Sequence, residues 1–224
     1  MPSCCECEAI DRHFAVARAA EELATYTRRG PTGTARLILN SLRGSPLIES
    51  ILDIGAGIGV LHHELLGTGT RSAVHVEAAR AYIDVAQEES ARRGHAGRVR
   101  FLNGDFLALA PSVASADLVT LDRVVCCYSA FEPLIRLSAE RARRYYAVSF
   151  PHDRWYVRAH TRWQNYRRKR AGNPFRTFVH PVPKIHALIR DAGFIVRRSY
   201  STMAWEVLVC VRRSMTDHFR LSQE

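Results

Sequence analysis

The stretch Ile51-Leu52-Asp53-Ile54-Gly55-Ala56-Gly57-Ile58-Gly59 decides the fold. An apolar strand over Ser50–Ile54 runs into a turn with glycine at every second position, and Val60–Leu66 continues as a helix. Glycine is required where a chain turns sharply with positive φ and where a ligand must reach the main chain with no Cβ in the way. A strand entering a helix through such a turn opens a βαβ unit.

Working outward, the alternation continues. Ser72–Val76 reads as a strand, Arg80–Arg93 as a helix, Val99–Leu102 and Asp117–Leu121 as strands, Pro133–Ala142 as a helix and Tyr145–Phe150 as a strand. Such alternation predicts a mostly parallel sheet with helices on both faces. After a helix over Pro181–Ala192, Phe194–Ser201 and Trp205–Val211 are β-rich runs joined by a short connection, so they should pair antiparallel and bring the sheet to seven strands. Trp205–Val211 is apolar on both parities beyond Glu206, as a strand covered on both faces would be. Upstream, Ala9–Arg29 has apolar residues at helical spacing and ends at Gly30-Pro31, and a second helix spans Thr34 to about Arg43.

Two more acids fall at strand ends. Glu77 closes the second strand, where a carboxylate meets both hydroxyls of a ribose lying across the first two strands. Asp105 closes the third, where it could accept from an adenine amino group while Phe106 covers the ring. Three acids in register with three strand ends are a poor fit to chance surface charges.

With these residues the chain resembles the class I S-adenosylmethionine-dependent methyltransferases. Asp53-Ile54-Gly55-Ala56-Gly57-Ile58-Gly59 matches the family's D/E-x-G-x-G-x-G motif position by position. The resemblance implies a Rossmann-like α/β fold with S-adenosylmethionine as cofactor. It assigns Asp53, Gly55, Gly57 and Gly59 to the cofactor's methionine side, Glu77 to the ribose, Asp105 and Phe106 to the adenine, and Asp122 with Arg123 to the cofactor and acceptor. Tyr26 joins this set from an N-terminal helical extension, residues 1–45, expected to cover the cofactor. Residues 46–224 form the methyltransferase domain, with a substrate cover inserted at about 151–180. A nicotinamide dehydrogenase shares the fold but needs G-x-G-x-x-G, and counting from Gly55 its third glycine would fall on Val60. Within the family, Tyr26-Thr27-Arg28-Arg29-Gly30-Pro31 and Asp122-Arg123-Val124-Val125-Cys126-Cys127-Tyr128 resemble a bacterial group related to magnesium-protoporphyrin methyltransferases, with Cys126-Cys127 where those enzymes carry a histidine.

The methyl of that cofactor is already activated, so the protein must align a nucleophile and exclude water; a base is needed only when the acceptor carries a proton. Tyr128 after the fourth strand and His152 after the fifth are the catalytic candidates. Cys127 has no paired histidine and is the weaker nucleophile candidate. His160, His180 and His186 share no ligand-like spacing and read as structural.

Composition narrows the acceptor. Of the 224 residues, 47% are hydrophobic and 24% charged, with a net charge of +10 that lies wholly beyond residue 150, where 15 basic residues face 5 acidic ones. All but Lys169 and Lys184 of the basic residues are arginine, so Arg richness extends over the whole chain. A helix over Asp153–Ala171 carries Trp155, Trp163 and Tyr166 on one side, a stripe suited to covering a flat acceptor. The expected acceptor is therefore a small molecule, anionic or aromatic, methylated on O, N or S. An RNA methyltransferase is the alternative favoured by the basic third, and a non-catalytic cofactor-binding protein is the other. No apolar run reaches the roughly 18 residues of a spanning helix, and the start carries no signal pattern, so a cytoplasmic protein with no membrane partner is expected. Cys4, Cys5 and Cys7 could offer thiolates to a soft metal but lack paired spacing, and no metal is expected.

Overall fold

The computed structural model describes residues 5–213. In chain order the elements are α1 (Cys5–His13), α2 (Val16–Arg29), α3 (Gly33–Leu42), β1 (Ser50–Ile54), α4 (Val60–Gly67), β2 (Ser72–Glu77), α5 (Arg80–Arg92), β3 (Val99–Asn103) and α6 (Phe106–Leu109). They continue with β4 (Ala116–Leu121), α7 (Phe131–Arg141), β5 (Ala142–Pro151), α8 (Trp155–Arg170), α9 (Val182–Asp191), β6 (Phe194–Ser201) and β7 (Trp205–Arg212). The seven strands form one sheet in the order β3-β2-β1-β4-β5-β7-β6. The first five are mutually parallel, and β7 runs antiparallel to both β5 and β6.

Strand periodicity sends alternate residues to two cores. Leu52, Ile54, Val119, Leu121, Leu208 and Cys210 face one, which α7 and α9 close with Leu134, Ile135, Leu188 and Ile189. Ile51, Leu118, Val207 and Val209 face the other, closed by Ile38 of α3 and Leu61 and Leu65 of α4. With both faces covered, β4 has no exposed residue and Val207–Cys210 is fully buried. β6, one of the two edges, leaves Ile195 and Val196 at 36% and 40% exposure.

The expected single helix over Ala9–Arg29 is two helices. The break at Phe14-Ala15 lets the Phe14 ring meet Tyr82 and Phe175 edge-on at 5.5 and 5.4 Å while His13 stacks on Phe175 at 4.3 Å. These contacts, with Ile10, Ala19, Tyr26 and Ile58, build a third apolar cluster that fastens α1 and α2 to α5 and the glycine turn. Cys4 and the side chains of Cys5 and Cys7 lie outside the described residues. Among the described residues no helix is long and apolar enough to cross a membrane.

Candidate functional site

The strand order reverses between β1 and β4, so a crevice opens at their carboxyl ends, where ligands of open α/β sheets bind. The glycine turn forms its floor. Gly55 has φ 59°, and a Cβ there would stand 2.5 Å from Cγ2 of Val124 in the turn after β4. Gly59 has φ 86° and would place a Cβ 2.5 Å from Cε1 of His62. Gly55 and Gly59 are thus fixed by close packing behind the turn as well as by its conformation.

Glu77 locks this turn to the next strand. Its Oε2 accepts from the Gly57 N–H and its Oε1 from the Ala79 N–H, both at 2.9 Å. Burial raises its pKa even though backbone N–H groups favour the anion. Asp105 caps α6 by accepting from Leu107 N at 3.0 Å, and the buried Tyr128 hydroxyl donates to the same oxygen at 2.8 Å. Asp122 accepts from Ser149 Oγ at 2.5 Å, and that oxygen accepts from the Arg123 N–H at 2.8 Å. This relay from β5 holds Arg123 at φ 61°, the one positive φ outside glycine among the described residues. Such conformations concentrate at functional sites because neighbouring structure must sustain their cost.

Two cavities meet at this point. The smaller, about 270 Å³, runs past Glu77, Gly104, Phe106, Tyr128 and Phe14. The larger, about 720 Å³, lies between the glycine turn and the α2–α3 region, beside Glu21, Glu22, Tyr26 and Thr32. Gly55, Gly57, Asp122, Arg123, Arg18 and Glu22 border both. Tyr26 is buried, donates to Glu64 Oε1 at 2.5 Å and carries the Arg93 guanidinium 4.7 Å over its ring.

Other expected site residues have structural partners. Asp53, 2% exposed, borders the larger cavity, but its oxygens are taken by His62 Nδ1 at 3.0 Å and Thr120 Oγ1 at 2.6 Å. His152 is buried in the β5–β6–β7 corner, with Nε2 2.8 Å from Ser201 Oγ and Nδ1 3.6 Å from Glu206, and it borders neither cavity. Cys127 borders the smaller cavity 4.0 Å from the Cys126 sulfur, and its interaction with that thiol, together with burial, pushes its pKa up, away from a nucleophilic thiolate. His180 Nε2 donates to the Tyr128 carbonyl at 2.9 Å and so braces the turn.

The aromatic stripe of α8 corrects the sequence reading. Trp155, Trp163 and Tyr166 are 80%, 52% and 57% exposed and point away from both cavities, while Gln164 and Arg168, on the other side of the helix, border the smaller one. The 3.6-residue period located the stripe, but no local signal says which side of an inserted helix the body of the protein takes. Sequence reasoning also missed Phe14, Tyr82 and Phe175, which border the smaller cavity from three distant segments. It missed four buried histidines behind the glycine turn as well. His62 lies 4.4 Å from His63 and 5.2 Å from His75 between ring centroids, and His63 lies 5.6 Å from His95. Among the described residues no group of three or more His, Cys, Asp or Glu side chains is placed to hold a metal ion.

Residues 51–144 match the family model described as a methyltransferase domain. No curated protein matches the chain. Among solved structures, magnesium protoporphyrin IX methyltransferase from Synechocystis PCC 6803 with bound SAH superposes with a TM-score of 0.65 at 17% identity, covering 92% of this chain and 99% of that one. An O-methyltransferase family protein from Burkholderia thailandensis gives 0.69 at 16% identity, over 92% of this chain and 64% of that one. A (4+2)-cyclase gives 0.67 at 11% identity, over 95% and 98%. These likenesses establish the Rossmann-like methyltransferase fold, and the cyclase is a reminder that one fold hosts different chemistries.

Proposed function

From a methyltransferase domain at residues 51–144 as the premise, we propose that the chain transfers the methyl group of S-adenosylmethionine to a small-molecule acceptor. One observation carries the reading: Glu77, Gly57 and Asp122 converge where the two cavities join. The donor set fits the cofactor. Glu77 spends one lone pair of each oxygen on backbone N–H groups, leaving acceptor capacity for ribose hydroxyls. At Gly57 a Cβ would meet only Tyr82, at 3.7 Å, so the backbone is open to close approach from the cavity.

When bound, S-adenosylmethionine supplies a methyl group already activated by the adjacent cationic sulfur. Glu77 and Tyr128, whose hydroxyl is held by Asp105, would hold the adenosine end in the smaller cavity, which Phe106 also borders. Gly55 and Gly57 lead toward Asp122 and Arg123, which would flank the methionine end of the bound cofactor where an acceptor could enter from the larger cavity. Residues 17–35 of the N-terminal extension wall that cavity and would shield the reacting atoms from water. Arg123 suits an anionic group on the acceptor. With its hydroxyl donated to Asp105, Tyr128 positions the cofactor and is not the base. The RNA alternative is disfavoured because the most basic helix, α8, turns its charged outer face away from the cavities.

The test is ligand selectivity. S-adenosylhomocysteine at about 100 times Kd should stabilise the protein by roughly 2.7 kcal/mol, and NADH should give no shift. A shift with NADH alone overturns the reading. Incubating a cell extract with methyl-labelled cofactor and the protein should then label a small molecule and leave RNA unlabelled.

A further inference from the structure

Helix α8 has two sides of different chemistry. Inward it presents Val157, which is buried, Gln164 and Arg168 at the smaller cavity, and Asn165, whose amide donates to the Thr177 carbonyl at 2.7 Å. At about 100° per residue, Trp155, Trp163 and Tyr166 fall within roughly 80° of arc on the opposite side. Large aromatic side chains left in water along one side of a helix point to an interaction surface. Met203, 80% exposed in the β6–β7 turn, joins the same end as Trp155, because the Tyr156 hydroxyl donates to the Met203 carbonyl at 2.8 Å. Arg162, Arg167, Lys169 and Arg170 are interleaved with the aromatics and exposed, while Arg158 is paired with Asp153, and α8 contains no acidic residue.

We propose that this face docks the protein on a bilayer surface containing anionic phospholipid. The charge suits an anionic partner, and three features select a membrane. The outer side of a helix is convex and offers no groove to track a single nucleic-acid strand. Arg167 lies 4.8 Å over the Trp163 ring and Arg170 6.0 Å over Tyr166, so guanidiniums already occupy ring faces that bases would need for stacking. Rings at headgroup depth beside cations that reach phosphates suit the surface of an anionic bilayer. Met203 adds a flexible apolar side chain suited to the acyl boundary. The expectation of no membrane partner rested on the length of apolar runs, a criterion for crossing a bilayer and not for lying on one. Because the inner side of α8 borders the smaller cavity, docking sets the wall of the site against the lipid.

The test is flotation of the full-length protein with two kinds of vesicle, phosphatidylcholine alone and phosphatidylcholine with about three lipids in ten replaced by phosphatidylglycerol. The protein should float only with the anionic vesicles, with blue-shifted tryptophan emission, and high salt should release it. Arg162→Gln with Lys169→Gln should weaken partitioning about thirtyfold, roughly fivefold per cation. Trp155→Ala with Met203→Ala should also weaken it. Arg136→Gln with Arg190→Gln, exposed arginines of α7 and α9, should leave it unchanged. All three pairs should keep the parent's melting temperature, since none of these side chains is buried. Failure to float with anionic vesicles at low salt, equal loss in the Arg136/Arg190 pair, or tighter binding of single-stranded RNA than of vesicles through the same residues would overturn the proposal.

Discussion

Replacing Glu77 by glutamine isolates what its charge does. Its two oxygens each accept one backbone N–H at 2.9 Å, and the residue is 8% exposed. Glutamine keeps the shape but offers one oxygen and one NH2, so one backbone N–H then faces a donor, at a cost of about 1–3 kcal/mol. Against that, the raised pKa says that burial outweighs the two backbone bonds, so removing the charge relieves a desolvation penalty. The two effects oppose each other, and the apo protein should change by no more than about 1–2 kcal/mol. Affinity has no such compensation. Charge-assisted bonds to ribose hydroxyls, at about 1.5–3 kcal/mol, should be lost, raising the Kd for S-adenosylhomocysteine roughly 10- to 160-fold by titration calorimetry. Asp84→Ala on α5 breaks only an exposed pair with Arg80 and should leave affinity unchanged. The pH dependence has a definite sign. A raised carboxyl pKa makes Glu77's contribution to stability greatest below the unfolded value, and that contribution is lost as pH rises through the folded one. Hydroxyl donors favour the anion, so binding should release protons and tighten over the same rise in the parent but not in Glu77→Gln. Equal affinities for parent, Glu77→Gln and Asp84→Ala would refute the placement of the ribose.

Other outcomes follow from the same geometry. Gly55→Ala should cost about 2–4 kcal/mol, combining positive φ with the 2.5 Å approach to Val124, and adding Val124→Ala should recover only the steric part in denaturant titration. Tyr128→Phe should destabilise by about 1–3 kcal/mol and slow turnover while leaving the shape of the pH–rate profile intact; a shifted limb would make Tyr128 a base after all. Burial lowers His63 to about 3 and His75 well below 6.5, so both are neutral when folded and take up protons on unfolding. Stability should hold above about pH 6.5 and fall on acidification toward pH 3, by about 1.4 kcal/mol per pH unit per histidine, and His75→Phe should flatten that slope. A pH-independent midpoint between pH 7 and 5 would contradict it. Ile38→Ala, fully buried between α3 and the sheet, should cost about 2–5 kcal/mol by denaturant titration.

What the sequence made legible were features with a short-range cause. Strand β1 and the glycine turn are written in nine consecutive residues, and the antiparallel end of the sheet in two β-rich runs separated by three residues. The kink at Phe14 was not legible, because its cause lies in Tyr82 and Phe175, far along the chain. The side that α8 turns to the protein was equally hidden: its periodicity defines two faces, and only the positions of the cavity and the β6–β7 turn choose between them. His152 illustrates the same limit, since sequence places it at a strand end and only the sheet register, which pairs Pro151 with Trp205, sets it beside Ser201 and Glu206.

Asp53 shows how a motif position can matter without touching a ligand. It opens the glycine motif, yet its carboxylate joins His62 of α4 to Thr120 of β4 beneath the turn. His62 stands against Gly59, and His63 reaches Nδ1 of His95 at 3.4 Å. The turn therefore rests on a buried polar layer in which four imidazole nitrogens, in His62, His63 and His75, have no hydrogen-bond partner. Removing one acceptor from such a layer leaves another polar group unpaired in a low-dielectric interior, at a cost of about 1–3 kcal/mol, more where a charge is involved. Asp53→Asn retains an acceptor for either His62 or Thr120, whereas Asp53→Ala retains none. If Asp53 acts through the turn, Ala should lower apo stability more than Asn, and both should weaken cofactor binding in proportion to that loss. A loss of affinity in Asp53→Asn with apo stability unchanged would instead mean that Asp53 contacts the cofactor itself.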